Sequence, residues 1–231
     1  MKPAPFVYHR PTTLAETFEL LERYGDDGRI LAGGQSLVPS LNMCLATPGA
    51  VIDINRVPGL DAIRVAPDGL VFGAMARQEA VGRSPLVAQH APLIAQAIPH
   101  LAHLAIRTRG TFGGSIALAD PAAELPACIV ALDATVRAAR RGGAVRDIPA
   151  ARFFKGIYAT ALEAGEILTE VVIPLPAPGW RDHFDELARR RGDYALVGLA
   201  ARCRVVRDRV EEARLVYTGV GLAPVRAARA E

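Results

Sequence analysis

Two small-residue turns carry the backbone and side chains with chemistry to offer. In "RILAGGQSLVPSL", residues 29–41, Gly33 and Gly34 follow a short apolar run and precede an amide, Gln35, and a hydroxyl, Ser36. In "RTRGTFGGSIALADPAAELPA", residues 107–127, Gly113 and Gly114 lie between Thr111 and Ser115. Backbone N–H groups that converge in a tight turn form a concave anion site, and glycine lets an anion approach because no Cβ intervenes. A helix start behind the turn adds a favourable dipole. Either turn alone is equally a tight strand-to-helix connection. Two in one chain point to an elongated ligand with a central diphosphate. Neither is followed by the GK[ST] of a P-loop and neither has the GxGxxG spacing, which disfavours a P-loop NTPase and an ordinary Rossmann nucleotide fold.

Other chemistries find little support. The five histidines, His9, His90, His100, His103 and His183, show no partnering pattern for a hydrolytic triad. His100 and His103 are three apart, but with no further ligand candidates beside them they read as surface or hydrogen-bonded helix residues. Cys44, Cys128 and Cys203 lie far apart with no CxxC pair, so they neither ligate an iron–sulfur cluster nor build a disulfide framework. No catalytic side chain and no metal ligand is expected in the chain itself. The net charge is +3, and acids interleave the arginines of "RDHFDELARRRGD" and "RCRVVRDRVEEAR". That pattern suits a solvated or subunit-facing surface better than a nucleic-acid stripe. Hydrophobic residues make up 51% but are dispersed, so no membrane span is expected. "MKPAPFVYHRPTT" lacks the apolar segment of an export signal, which makes the cytoplasm the expected location.

The elements that must hold the two turns follow from periodicity. "TTLAETFELLERYGDDG" places Leu14, Phe18 and Leu21 on one helical face, with Thr12 or Thr13 as cap and Gly25 near the stop. "RILAG" and "AVIDI" read as buried strands on either side of a short helix in "SLVPSLNMCLATP". "IRVAPDGLVFGA" reads as a hairpin about Asp68-Gly69. Short helices follow from Arg77 to about Ala105, broken at Pro85, Pro92 and Pro99. The second glycine turn should lead through Asp120-Pro121 into an apolar helix over residues 122–132, with Asp120 either contacting a ligand or, with Pro121, starting that helix. "TVRAAR" and "GAVRDIP" suggest a second hairpin, and "EILTEVVIPLP" a strand. Beyond "PLPAPGW" come two or three long antiparallel strands, with Trp180 in a packing role and Arg189–Arg191 solvated.

"AGGQSLVPSLNMCLATPGAVIDINRVPGL" together with "IRTRGTFGGSIALADPAAELPA" closely resembles the FAD-binding medium subunits of the molybdenum hydroxylases, the group of aerobic carbon monoxide dehydrogenase and xanthine dehydrogenase. The resemblance runs from about Phe6 to the end. It implies an α+β fold rich in α/β units, of the vanillyl-alcohol oxidase and p-cresol methylhydroxylase type. A FAD-binding domain would occupy residues 1–176, with two α/β subdomains meeting near residue 57. A smaller antiparallel domain over 177–231 would be truncated, because relatives continue for several tens of residues past "GVGLAPVRAARAE". The resemblance further implies that Ala32, Gly33, Gly34, Gln35, Ser36 and Leu37 wrap the FAD diphosphate and that Thr111, Gly113, Gly114 and Ser115 form a second FAD loop. Asp120, Glu124, Leu168 and Tyr194 would lie near the cofactor. Where relatives carry a lysine close to the flavin, this chain has "DELARRR" around Glu186. The implied role is an electron-transfer flavoprotein subunit, fed by the two [2Fe–2S] clusters of a small subunit that serves a molybdenum cofactor on a large one, and delivering to an external acceptor. An FAD-deficient assembly subunit and a stand-alone flavin oxidoreductase of the same fold are the alternatives.

Overall fold

A computed structural model describes residues 2–231. The chain enters through strand β1 (Val7–His9) and helix α1 (Leu14–Tyr24). Thr13 starts α1: its hydroxyl accepts from the Glu16 N–H at 3.1 Å, while the Glu16 carboxylate accepts from the Thr12 N–H at 2.7 Å. Two of the orphan donors of the first turn are thereby satisfied. Strand β2 (Gly28–Leu31), helix α2 (Leu37–Asn42) and strand β3 (Ala50–Asp53) complete the first unit. β3 lies between β1 and β2 and runs parallel to both, and all four of its residues are buried. A strand covered on both faces requires this unbroken apolar run. β1 went unforeseen because three residues between prolines are too few to show a period.

The second unit begins with the hairpin β4 (Ile63–Ala66) and β5 (Gly69–Gly73). Four short helices follow: α3 (Gln78–Arg83), α4 (Pro85–His90), α5 (Pro92–Ala97) and α6 (Leu104–Arg107). Pro85 and Pro92 open α4 and α5, the position where a missing N–H costs nothing. Then come α7 (Phe112–Leu118), α8 (Glu124–Ala131), the hairpin β6 (Thr135–Ala139) and β7 (Val145–Pro149), and the turn α9 (Ala150–Phe153). A two-stranded ribbon, β8 (Phe154–Gly156) with β9 (Ala159–Thr160), leads to β10 (Ile167–Ile173). The sheet order is β4-β5-β10-β6-β7, so the late strand β10 is inserted between the two hairpins. Its apolar run covers α7 and α8 on one side, with Phe72, Phe112, Ile129 and Val171 in a continuous core.

Strands β11 (Trp180–Ala188), β12 (Ala195–Val206), β13 (Arg209–Thr218) and the short β14 (Val225–Arg226) form a third, antiparallel sheet. Phe184, Ala200 and Val216 join the core beneath it. The side-chain amide of Gln96 holds β11 to α5, donating to the Asp182 carbonyl at 3.1 Å and accepting from the Phe184 N–H at 3.0 Å. Trp180 packs against cations rather than an apolar core, with the Arg202 and Arg214 guanidiniums 4.5 and 5.2 Å from its ring centre. Arg189–Arg191 are exposed.

Two sequence expectations need correction here. Residues 112–118 form a helix, so Gly113 and Gly114 sit inside its first turn rather than in a loop ahead of one long helix. A left-handed Ala119, φ 54°, ends α7. The following helix starts at Glu124 with Ala123 as cap, and Asp120 instead closes a local turn by accepting from the Ala122 N–H at 2.9 Å. Asp120 and Pro121 therefore precede the helix by a full turn and do not cap it. No helix among the described residues is long and apolar enough to cross a membrane.

Candidate functional site

The first glycine turn leaves β2 and folds back over residues 32–36 before α2. Gly34 has φ +74°, a conformation glycine reaches without strain. Among the described residues nothing accepts a hydrogen bond from the backbone N–H groups of Gly33, Gly34, Gln35, Ser36 or Leu37. A run of unpaired amides that also lines a cleft is set to receive an acceptor from outside the chain. Gln35 is not a free donor, because its Nε2 turns back to the Gly33 carbonyl at 3.0 Å. Ser36 makes no capping hydrogen bond, which leaves its hydroxyl available.

The second turn differs in kind. Gly113 N–H donates to the Ala74 carbonyl at 2.9 Å, Gly114 N–H to Thr111 Oγ1 at 3.0 Å, and Ser115 N–H to the Thr111 carbonyl at 3.2 Å. Thr111 is the N-cap of α7, so these amides are already used and do not form the second anion nest that the composition suggests. The glycines serve packing instead. A Cβ on Gly113 would stand 2.5 Å from Ala74 Cα, and one on Gly33 would stand 2.5 Å from the Arg109 carbonyl oxygen. The second of these distances places the two turns in direct contact.

One cleft of about 830 Å³ runs between the first and second units and under the loop from β11 to β12. Ala32, Gly33, Gly34, Gln35, Ser36 and Leu37 line it, as do Thr111, Gly113, Gly114, Ser115, Asp120, Glu124, Leu168 and Tyr194. Every residue that the sequence assigned to the cofactor therefore borders one cavity. Sequence reasoning missed Tyr158, Gly192 and Asp193 at the same mouth. "GDY" before the long strand offered a turn signal for the latter two, whereas nothing local marks Tyr158, which is exposed and has φ +53°. Leu168 forms part of the apolar wall, and Tyr194 stands 74% exposed at the rim.

Charge is distributed unevenly along the cleft. Asp120 and Glu124, each only 9% exposed, also line it. Burial pushes the Glu124 carboxyl up to about 7, and the negative charges of Glu186 and Asp120 add to the shift. Glu186 stands close behind, its Oε2 buried without a hydrogen bond and its Oε1 3.6 Å from His100 Nδ1. Burial raises its carboxyl as well. His100 thus belongs to Glu186, while His103 precedes α6 and packs its ring on Gly192, so the two histidines share no ligand set. Among the described residues no group of three or more His, Cys, Asp or Glu side chains is placed to hold a metal ion. A second hollow, about 890 Å³, opens between α1 and the β6–β7 hairpin. The arginines lining it are ion-paired: Arg137 with Asp68, Asp147 and Glu170, Arg140 with Glu163, and Arg141 with Glu22. The first cleft is the better candidate, because its unpaired groups have no partner within the chain.

Comparison with known proteins agrees with this geometry. Residues 4–176 match the FAD-binding domain of molybdopterin dehydrogenases, and residues 182–231 match the C-terminal domain of carbon monoxide dehydrogenase flavoproteins. The chain is 38% identical to the caffeine dehydrogenase subunit beta of a Pseudomonas species over 98% of its own length and 77% of that protein's. It is 37% identical to the carbon monoxide dehydrogenase medium chain of Hydrogenophaga pseudoflava, covering 98% of this chain and 78% of that one. Among solved structures, carbon monoxide dehydrogenase from H. pseudoflava superposes with a TM-score of 0.96 at 38% identity, over 100% of this chain and 80% of that chain. Quinoline 2-oxidoreductase from Pseudomonas putida superposes with a TM-score of 0.93 at 42% identity, with the same coverage.

Proposed function

Because this chain belongs to the family of FAD-binding medium subunits of molybdenum hydroxylases, we propose that it holds one non-covalent FAD in the 830 Å³ cleft. The observation that carries this reading is the run of unpaired amides from Gly33 to Leu37 lining a cleft that Asp120 and Glu124 also border. Amides attract a diphosphate, and the Asp120 carboxylate repels one, so electrostatics assigns the phosphates to the first turn. The uncharged ring system is left to the apolar wall of Leu101, Ile106 and Leu168. The volume falls within the roughly 300–1,000 Å³ usual for cofactor sites.

The bound flavin supplies the redox chemistry, exchanging one or two electrons with its neighbours. The protein binds and orients it: the Gly33–Leu37 backbone holds the phosphates, Ser36 and Ser115 offer hydroxyls, and Leu168 excludes water from the interior wall. The Glu124 carboxyl, raised to about 7, titrates near neutral pH and so carries less than a full negative charge there. In this reading residues 1–176 are the flavin-binding unit and 177–231 a smaller covering domain. Electrons arrive from the [2Fe–2S] clusters of a small subunit, after substrate oxidation at a molybdenum cofactor on a large one, and leave to an external acceptor. A cytoplasmic location suits three cysteines that are all free.

Flavin content tests the reading directly. The purified chain should carry stoichiometric flavin by visible absorbance, released on denaturation and identified as FAD. A folded chain that stays colourless and takes up no FAD would refute it.

A further inference from the structure

The two glycine turns belong to different sheets, yet one pair of side chains fixes their separation. Asn55 follows β3 in the first unit, and Arg77 precedes α3 in the second. Asn55 Nδ2 donates to the Ala32 carbonyl, in the first turn, at 2.8 Å. Asn55 Oδ1 accepts from the Arg77 guanidinium, and the other arm of that guanidinium donates to the Arg109 carbonyl, in the second turn. The Arg109 carbonyl is the group against which Gly33 packs without room for a Cβ. The orientation of the Asn55 amide is itself fixed, because its N–H and Nδ2 both donate to Oδ1 of the buried Asp53, whose Oδ2 accepts from the Tyr8 hydroxyl. The antiparallel bridge between Arg77 and Thr111, with Phe112 N–H donating to the Ala76 carbonyl at 2.8 Å, seats the second turn on the same segment. Neither Asn55 nor Arg77 lines the cleft.

We propose that Asn55 and Arg77 form a clamp across the boundary between the two units, holding the second glycine turn against the first at the distance that a dinucleotide lying in the cleft requires. The proposal rests on the flavin reading of the cleft. The two residues are positioning residues: they act on the ligand only through Ala32, Gly33 and Arg109. Because the clamp is one chain of hydrogen bonds, cutting it at either link uncouples the two turns from one another. A planar two-armed guanidinium is needed at position 77, since an ammonium is a single point of charge that does not reproduce the fork.

The test is a titration of the flavin-free chain with FAD, together with amide exchange of that chain before flavin is added. Asn55→Ala and Arg77→Ala should each weaken FAD binding about tenfold or more, and the double variant should bind no worse than the weaker single one. Arg77→Lys should resemble Arg77→Ala, and should serve in its place if the alanine variant does not fold. Without flavin, exchange should quicken at Val38, whose N–H bonds to the Gly34 carbonyl behind the first turn, and at Phe112 and Gly113 in the second. The core strand β10 should remain unchanged. FAD affinities within twofold of the parent, accompanied only by a lower melting temperature, would assign both residues a purely structural role and overturn the proposal. Single-variant effects that multiply in the double variant would also overturn it. If the parent chain takes up no FAD, the flavin reading falls, and the exchange pattern of the flavin-free variants decides for or against the clamp by itself.

Discussion

Replacing Glu124 by glutamine should remove the pH dependence that this residue imposes on the fold. Glu124 opens α8, a position where the helix dipole ordinarily favours a carboxylate, and yet burial together with the charges of Glu186 and Asp120 raises it from 4.5 to about 7. The unfolded chain releases this proton near 4.5 while the folded chain keeps it until about 7, so between these values the folded state binds more protons. Stability must therefore fall as pH rises through that window. At about 1.4 kcal/mol for each unit, the penalty reaches about 3 kcal/mol above neutrality, most of which opens between about pH 5 and about pH 8. Glutamine keeps the shape and removes the charge. In urea denaturation of the flavin-free chain, the variant should gain on the parent by about 2–3 kcal/mol between those two pH values, a midpoint shift of roughly 1 M. Comparing variant with parent at each pH cancels the titrating groups that do not interact with Glu124. A difference that stays constant across the window, or that shrinks as pH rises, would refute the reasoning from burial.

Gly33→Ala should be among the most damaging small substitutions in the first turn. Its Cβ would meet backbone, the Arg109 carbonyl oxygen at 2.5 Å and Gly110 Cα at 2.8 Å, which forces the turns apart. A loss of about 1–3 kcal/mol in thermal or urea unfolding and weaker FAD uptake are expected. Thr111→Ala removes the cap of α7 and should cost about 1 kcal/mol, a loss that Thr111→Ser restores in the same unfolding assay. Asp53 is held below the usual carboxylate range: burial works to raise it, but the hydrogen bonds from Tyr8 and Asn55 and the charge of Arg10 prevail. Its contribution is then complete above about pH 4 and lost as pH falls further, so Asp53→Asn should be destabilised at neutral pH with a deficit that shrinks in acid. A deficit that grows on acidification would contradict that assignment.

Much of the scaffold was legible because its signals are local. Thr13 with Glu16 marks the start of α1, Pro85 and Pro92 mark the starts of α4 and α5, and Asp68-Gly69 marks the β4–β5 turn. Strand partners were less accessible. β10 joins the sheet between two hairpins made much earlier in the chain, and its apolar run is equally compatible with several positions. The clamp was hidden for the same reason: Asn55 and Arg77 are unremarkable polar residues until β3 and the bridge at Thr111 bring them together.

The two glycine turns show why composition alone overstates a site. Both pair Gly-Gly with hydroxyl-bearing neighbours, and both border the cleft. In the first, the nearest side-chain hydroxyl, Ser36, makes no capping bond and the amides stay free. In the second, a threonine three residues ahead of Gly114 reaches its N–H and starts a helix there. The spacing of the hydroxyl decides the outcome, because a β-hydroxyl at the N-cap reaches the third amide beyond it and little else. Once that amide is capped, the glycines have only their small size to contribute, and Gly113 uses it to bring α7 onto Ala74. An anion is therefore drawn to the first turn alone, while the second supplies a wall at a set distance. That distance is set by Asn55 and Arg77, which lie outside both motifs.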